Sequence, residues 1–382
     1  MPETYALGGY GDMVADRVRT GAYAAAIARV VRPGDVVLDI GAGAGILSLL
    51  ACRAGARRVY AVEPAEAIHT ARAIARENGF GDRIELIQGV STEIDLPERA
   101  NVIVSDLRGA LPLFQHHVPS IADARARLLA PGGTLIPRAD VLFAAPVEAA
   151  DVYGRLVGPW EEGDLGLRMT AARRQAVNTW AKARLGTEAL LARPCAWDVL
   201  DYATRTDPDT RASLEWRVAR DGTAHGLSLW FQAELAEGIG WSTGPGAPET
   251  IYGTPFVPFA EPVAVRAEDR IVVRLQGRLV GDDYVWVWET SIHRAAADSV
   301  HFRQSTTLAE PLSPAKLRRR AHDHRPVLGE EGRIDRMVLE RMDGGATLEE
   351  IARALQAAFP ARFARWEDAL TRVGRLSEQY GA

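Results

Sequence analysis

The sequence predicts an α/β protein in three parts: a doubly wound parallel sheet, an antiparallel β domain with a helical arm, and a small C-terminal helical unit. Three observations predict it. Between residues 35 and 104 short β-branched runs alternate with stretches of helical period, the pattern of right-handed βαβ units. After Pro137 strand-like runs follow one another without crossover helices, as antiparallel pairing allows. Beyond residue 333 apolar residues recur at helical spacing around a capping signal.

Residues 1–32 form an N-terminal helical segment, where one helix over 13–31 sets Met13, Tyr23, Ile27 and Val30 on one face. Residues 33–138 form the sheet domain, with strands at 36–40, 59–62, 84–87 and 101–104 and helices at 46–54 and 65–78. Residues 139–305 hold the antiparallel runs 141–143, 214–218, 227–231 and 284–288. Trp286 and Trp288 share one face of the last run and belong to its core. Residues 153–194, with Trp160, Met169 and Trp180, are a helical insertion that reads as an arm. Residues 306–332 are rich in Arg, Pro and polar side chains, and the run Arg318, Arg319, Arg320 reads as solvated linker. In residues 333–382, Ile334, Val338 and Leu339 mark one helix and Thr347, three before Glu350, caps a second through Leu348, Ile351 and Leu355. A third, over 363–376, carries Phe363, Trp366, Leu370 and Val373 as a stripe.

The chain has 382 residues, 47% apolar and 25% charged, with a net charge of −5. That balance suits a globular protein and gives no basic field to hold nucleic acid or an anionic bilayer. Two cysteines, Cys52 and Cys195, make neither a disulfide framework nor a metal-ligand spacing. No apolar run reaches 18 residues and no export signal opens the chain. A cytoplasmic protein with no membrane partner and no metal is expected.

The segment from Leu38 to Leu47 is a strand, a glycine-rich turn and a helix start. Glycine lets the backbone turn sharply and lets a ligand approach where a Cβ would collide. A dinucleotide fingerprint needs a third glycine at position 46, which is Ile46. Asp39 followed by Gly41, Gly43 and Gly45 suits S-adenosylmethionine (SAM) instead. Glu63, ending the next strand, can offer paired acceptors to ribose hydroxyls.

Four separated segments agree in order with one family: Met13 to Thr20, Val37 to Ser48, Val59 to Glu63 and Leu128 to Gly133. They resemble protein arginine methyltransferases, and fainter matches at Trp241 to Pro245 and Thr250 to Tyr252 extend the resemblance over roughly residues 5–292. The resemblance implies a Rossmann-like SAM domain, a β-barrel with a helical dimerisation arm, and a homodimer. It further implies that Arg19 pairs with the SAM carboxylate, Glu63 binds the ribose, the turn holding Thr92 and Glu93 borders the adenine, and Met13 and Ser105 line the same pocket.

The acceptor side departs from that family. Its members clamp a guanidinium between two glutamates; the matching positions here are Asp106, one methylene short, and Gln115, uncharged. A guanidinium bound there would lose a charge-assisted pair, and displacement of roughly 1 Å costs on the order of a hundredfold in rate. Arg108 in the same loop would add repulsion if it faced inward. The family's Thr-His-Trp loop is Thr250-Ile251-Tyr252, and its tyrosine-rich N-terminal helix has only Tyr5 and Tyr10. Asp106, Gln115, His116 and Tyr252 are therefore the expected catalytic group for a less basic acceptor, with Asp106 as a base or the holder of one.

Residues 338–351 are similar to the small winged-helix-like domains of the PqqD type, which recognise leader sequences of ribosomally made peptides. The expected function is SAM-dependent methylation of a peptide or protein on a residue other than ordinary arginine, such as a natural-product precursor. The alternatives are a small-molecule methyltransferase, a divergent arginine methyltransferase and a catalytically idle SAM-binding scaffold.

Overall fold

The structure, a computed structural model, describes residues 7–161, 166–295 and 297–381. Tyr5, and Leu165 of the arm, lie outside the described residues. Two units result, residues 1–311 and 312–382.

The first unit opens with α1 (Leu7–Ala15) and α2 (Arg17–Val30), two helices where the apolar period predicts one. Asp16 divides them, because it takes an extended backbone and its Oδ1 caps α2 by accepting from the Arg19 amide at 2.9 Å. There follow β1 (Val36–Ile40), α3 (Ile46–Arg53), β2 (Arg58–Glu63), α4 (Ala67–Glu77), β3 (Ile84–Gln88), β4 (Ala100–Ser105), α5 (His117–Arg127) and β5 (Leu129–Ile136). All pair in parallel, in the order β3-β2-β1-β4-β5. The middle strand β1 is buried along its whole length, as a parallel strand covered on both faces must be. Glu63, Gly41 and Asp106 stand at or just past the ends of β2, β1 and β4, where such sheets bind ligands.

The chain then enters β6 (Ala139–Val147), α6 (Ala150–Val157), α7 (Thr170–Ala176), β7 (Ala181–Ala183), β8 (Cys195–Asp201), β9 (Thr210–Arg217), β10 (Gly222–Ala236), β11 (Ile239–Ser242), β12 (Thr254–Val265), β13 (Arg270–Val280), β14 (Asp283–His293) and β15 (Val300–Ser305). These make two antiparallel sheets in a barrel-like domain, β7-β12-β10-β6-β8 with β11 on β10, and β15-β14-β13-β9. Strand β13 shows why: Ile271, Val273 and Leu275 turn inward while Arg270 and Arg274 face out. The arm is helix plus a short edge strand rather than all helix. One continuous core joins both domains, running from Leu38 and Val104 through Tyr23 and Trp241 to Phe231 and Trp288. Trp286 is half-buried, edge-on to Trp197.

The second unit holds α8 (Pro314–Arg319), α9 (Glu330–Met342), α10 (Leu348–Ala358) and α11 (Trp366–Tyr380), with no strand among its described residues. Ile334, Val338, Ile351, Leu355, Phe363 and Val373 form its own core. The capping box of Thr347 with Glu350 starts α10. Helix α11 begins at Trp366 rather than Phe363, where the Asp368 carboxylate reaches back to accept from the Arg365 amide at 3.1 Å. Leu339 is exposed.

Candidate functional site

The glycine turn after β1 is held in left-handed geometry at Gly41 and Gly43, with φ of 73° and 53°. A Cβ on Gly43 would lie 2.5 Å from the Tyr10 ring, and one on Gly41 equally close to Leu107, so neither position admits a side chain. Glu63 is already oriented: Oε2 accepts from the Gly43 amide and Oε1 from the Ala65 amide, each at 2.9 Å. Each oxygen keeps a lone pair for a ligand hydroxyl. Asp39 is buried, and Ser48 donates to its Oδ2 at 2.7 Å while its Oδ1 has no partner. Burial pushes its carboxyl up to about 7. A buried acceptor without a donor, near a carboxylate whose oxygens each keep a free lone pair, fits a ligand that brings both a cation and ribose hydroxyls, as SAM does. The Met13 carbonyl accepts from Thr20 Oγ1 at 3.0 Å and Arg19 Nη1 at 3.3 Å. Ser105 contributes its carbonyl to the Tyr23 hydroxyl at 2.7 Å. Thr92 and Glu93 are exposed on a turn closed by the Glu93 amide on Val90. Gly45 starts α3.

Next to the glycine turn lies a buried charge network. Arg19 Nε donates to Asp106 Oδ2 at 2.5 Å and contacts the Tyr252 hydroxyl at 3.1 Å, which itself donates to the same Oδ2 at 2.5 Å. Arg108 Nη1 takes the other oxygen, Oδ1, at 3.1 Å. Arg108 also forks onto Asp140 of β6, with Nε to Oδ2 at 2.8 Å and Nη2 to Oδ1 at 3.0 Å. Tyr202 donates to Asp140 Oδ2 and lies 2.8 Å from His117 Nε2. Arg108 does face inward, and a full counter-charge from the next domain compensates it within the fold. Burial by itself would raise the Asp106 carboxyl, but the charges of Arg19 and Arg108, then the Tyr252 hydroxyl, outweigh it and hold the group below the usual carboxylate range. Asp106 is thus a poor proton acceptor.

The four expected catalytic side chains do not all converge. Tyr252 reaches Asp106 because it stacks on Trp241, with ring centroids 6.0 Å apart, and stands edge-on to Phe231. His116 is a correction: its ring is exposed and Nε2 lies 3.1 Å from Asp282 on the β13–β14 turn. The neighbouring His117 points inward instead, because α5 begins there and buries it, and burial, then the Arg108 charge, lowers its pKa to about 3 and holds the ring neutral. Gln115 is half-buried with a φ of 42° and makes no hydrogen bond to Asp106 among the described residues. Three contributors escape sequence reading, Asp140, Tyr202 and Asp16. Asp140 has no local signal. Asp16 carries one, a capping residue before a helix; its Oδ2 accepts from the Ile251 amide at 2.9 Å, which fixes the loop where the family has histidine. No group of metal-ligating side chains, and no helix long and apolar enough to cross a membrane, occurs among the described residues.

Comparison with known proteins places these parts. Residues 20–137 match the family described as ribosomal protein L11 methyltransferase (PrmA), and residues 138–279 match the arginine methyltransferase oligomerization subdomain. Protein arginine N-methyltransferase 6 of Xenopus laevis is 31% identical over 279 residues, 68% of this chain and 80% of its own length. Probable protein arginine N-methyltransferase 6.1 of Oryza sativa subsp. indica is 32% identical over 232 residues, 58% of this chain. The chain spans 61% of that rice relative. Among solved structures, the Trypanosoma brucei PRMT1 enzyme-prozyme heterotetrameric complex with AdoHcy superposes with a TM-score of 0.72 at 23% identity, covering 78% of this chain and 98% of that one.

Proposed function

The chain belongs to the protein arginine N-methyltransferase family, and from that premise we propose that it is a SAM-dependent methyltransferase with an altered acceptor site, acting on a peptide or protein at a residue other than ordinary arginine. The carrying observation is Asp106, whose two oxygens are both engaged by the chain's own guanidinium groups, Arg19 and Arg108. A substrate guanidinium would have to displace one of them or share a carboxylate between three cations. Gln115 supplies no second charge to make that worthwhile.

When bound, SAM supplies an electrophilic methyl group on a sulfonium. Glu63, Asp39 and Arg19 would hold its ribose, ammonium and carboxylate ends. The chain's own part is orientation: Arg19, Tyr252 and Asp106 lock one another in place, so the acceptor meets a rigid wall rather than a mobile clamp. Because Asp106 is a weak base, the acceptor suited to this wall is one that needs little help in losing its proton, such as imidazole or carboxylate.

A homodimer through the arm is part of the proposal, supported by the oligomerization match over residues 138–279. Residues 312–382, with a core of their own, are proposed to hold a leader segment of the substrate. The test is mass spectrometry after incubation with SAM. Methylarginine on Gly-Arg-rich peptides at rates typical of the family would overturn the altered-acceptor reading. No methylarginine, together with measurable binding of S-adenosylhomocysteine, supports it.

A further inference from the structure

A cleft of about 970 Å³ opens between α1, the start of α2, the arm and the loop leading into β12. Its charge runs against that of the whole chain. Arg17, Arg108, Arg155, Lys182 and Arg184 line it, against Asp12, Asp16 and Glu249, although the chain carries a net −5. Internal pairing takes two of these cations and one of the carboxylates out of play. Arg108 is spent on Asp140 and Asp106, and Arg184 is paired with Glu249. Asp16 has both oxygens on backbone amides, those of Arg19 and Ile251. Arg17, Arg155 and Lys182 remain exposed with no carboxylate partner among the described residues, so three unpaired cations face the two carboxylates of Asp12 and Asp16. Lys182 is one of two lysines in the chain.

We propose that this cleft receives an acidic segment of the peptide substrate, whose carboxylates pair with Arg17, Arg155 and Lys182. The inference rests on the methyltransferase reading and names its substrate class. Three facts support it. Uncommitted cations around a concave site attract and orient anions. A Gly-Arg-rich substrate would be repelled by the same side chains. The cleft also runs along β7, which contributes Lys182 and Ala183 and pairs with β12 on one side only among the described strands, so an extended peptide has a backbone edge to follow. The net negative charge of the chain makes a general affinity for anions an insufficient explanation.

The test is fluorescence anisotropy with the full chain and labelled probes of about a dozen units: a Glu-Gly peptide, a Ser-Gly peptide, an Arg-Gly peptide and oligo-dT. The Glu-Gly peptide is expected to bind at least about tenfold more tightly than the others and to weaken as salt rises from about 50 to about 200 mM. The variant Arg155→Glu with Lys182→Glu is expected to lose at least about tenfold of that affinity, while its calorimetric titration with S-adenosylhomocysteine and its melting temperature match the parent. Preference for the Arg-Gly peptide, or full affinity in the variant, overturns the proposal. Preference for oligo-dT overturns it in favour of nucleic acid. Absence of S-adenosylhomocysteine binding by the parent chain would instead sink the methyltransferase reading, a result separate from the peptide data.

Discussion

Arg108 and Asp140 form a two-pronged ion pair across the boundary between the parallel sheet and the barrel-like domain, at 2.8 and 3.0 Å. The Arg108 guanidinium also lies 5.6 Å from the Trp241 ring centroid and 5.7 Å from that of Phe231, so barrel side chains enclose a cation that the acceptor loop supplies. The loop is therefore fastened to the second domain by charge.

Breaking one side of that pair leaves the other charge buried and uncompensated. Arg108→Ala is expected to lower the unfolding free energy by about 3–5 kcal/mol. Replacing both, as Arg108→Met with Asp140→Leu, should recover most of it. Urea denaturation of the two variants measures this, and a single variant within about 1 kcal/mol of the parent would show that the pair does not fasten the loop.

Glu63→Ala removes the acceptors proposed for the ribose and frees the amides of Gly43 and Ala65. With charged hydrogen bonds contributing about 1.5–3 kcal/mol each, affinity for S-adenosylhomocysteine should fall at least about a hundredfold. Calorimetric titration decides it, and unchanged affinity would remove Glu63 from the cofactor pocket.

Asp39 has a signed pH effect. Burial first, then the nearby Glu63 charge, raises its carboxyl to about 7, against the opposing bonds from Ser48 and the Arg19 charge. The native state thus keeps a proton that the unfolded chain releases near pH 4, and this group's contribution to stability falls as pH rises from about 4 to about 7. Asp39→Asn should abolish that slope, seen as a difference between the two denaturation series. A ligand ammonium beside Oδ1 favours the ionised form, so S-adenosylhomocysteine should bind the parent more tightly at pH 8 than at pH 5.5. The Asn variant should show little of this change, and equal pH profiles would rule out the contact.

Exposed apolar side chains on the arm predict its occupant. Trp160 is 40% exposed and Leu167 57%, and such residues are commonly covered by a partner. Light scattering at tens of micromolar should give a dimer, and Trp160→Glu with Leu167→Glu a monomer. A monomeric parent chain would refute the assignment of the arm.

Removing residues 312–382 should leave S-adenosylhomocysteine binding nearly unchanged, since those residues form a separate unit with a core of their own. The apparent KM for a leader-bearing peptide should rise, because binding remote from the chemistry is lost. Unchanged peptide kinetics would leave the unit without a role in recognition.

The sequence by itself determined the strand and helix alternation of the parallel sheet, the glycine turn and the capped helix at Thr347, because each is read from residues within a turn or a strand of one another. Period, caps and glycine positions are local quantities. Tertiary structure alone decided the acceptor side. Arg108 gained a partner 32 residues away and Asp106 one 146 residues away in Tyr252. Whether Arg108 repels or stabilises depends on where β6 places Asp140, and which of His116 and His117 turns inward depends on where α5 starts against the barrel. A charge in a low-dielectric interior is governed by whatever packing brings within a few ångströms of it, and no local pattern in a chain encodes that.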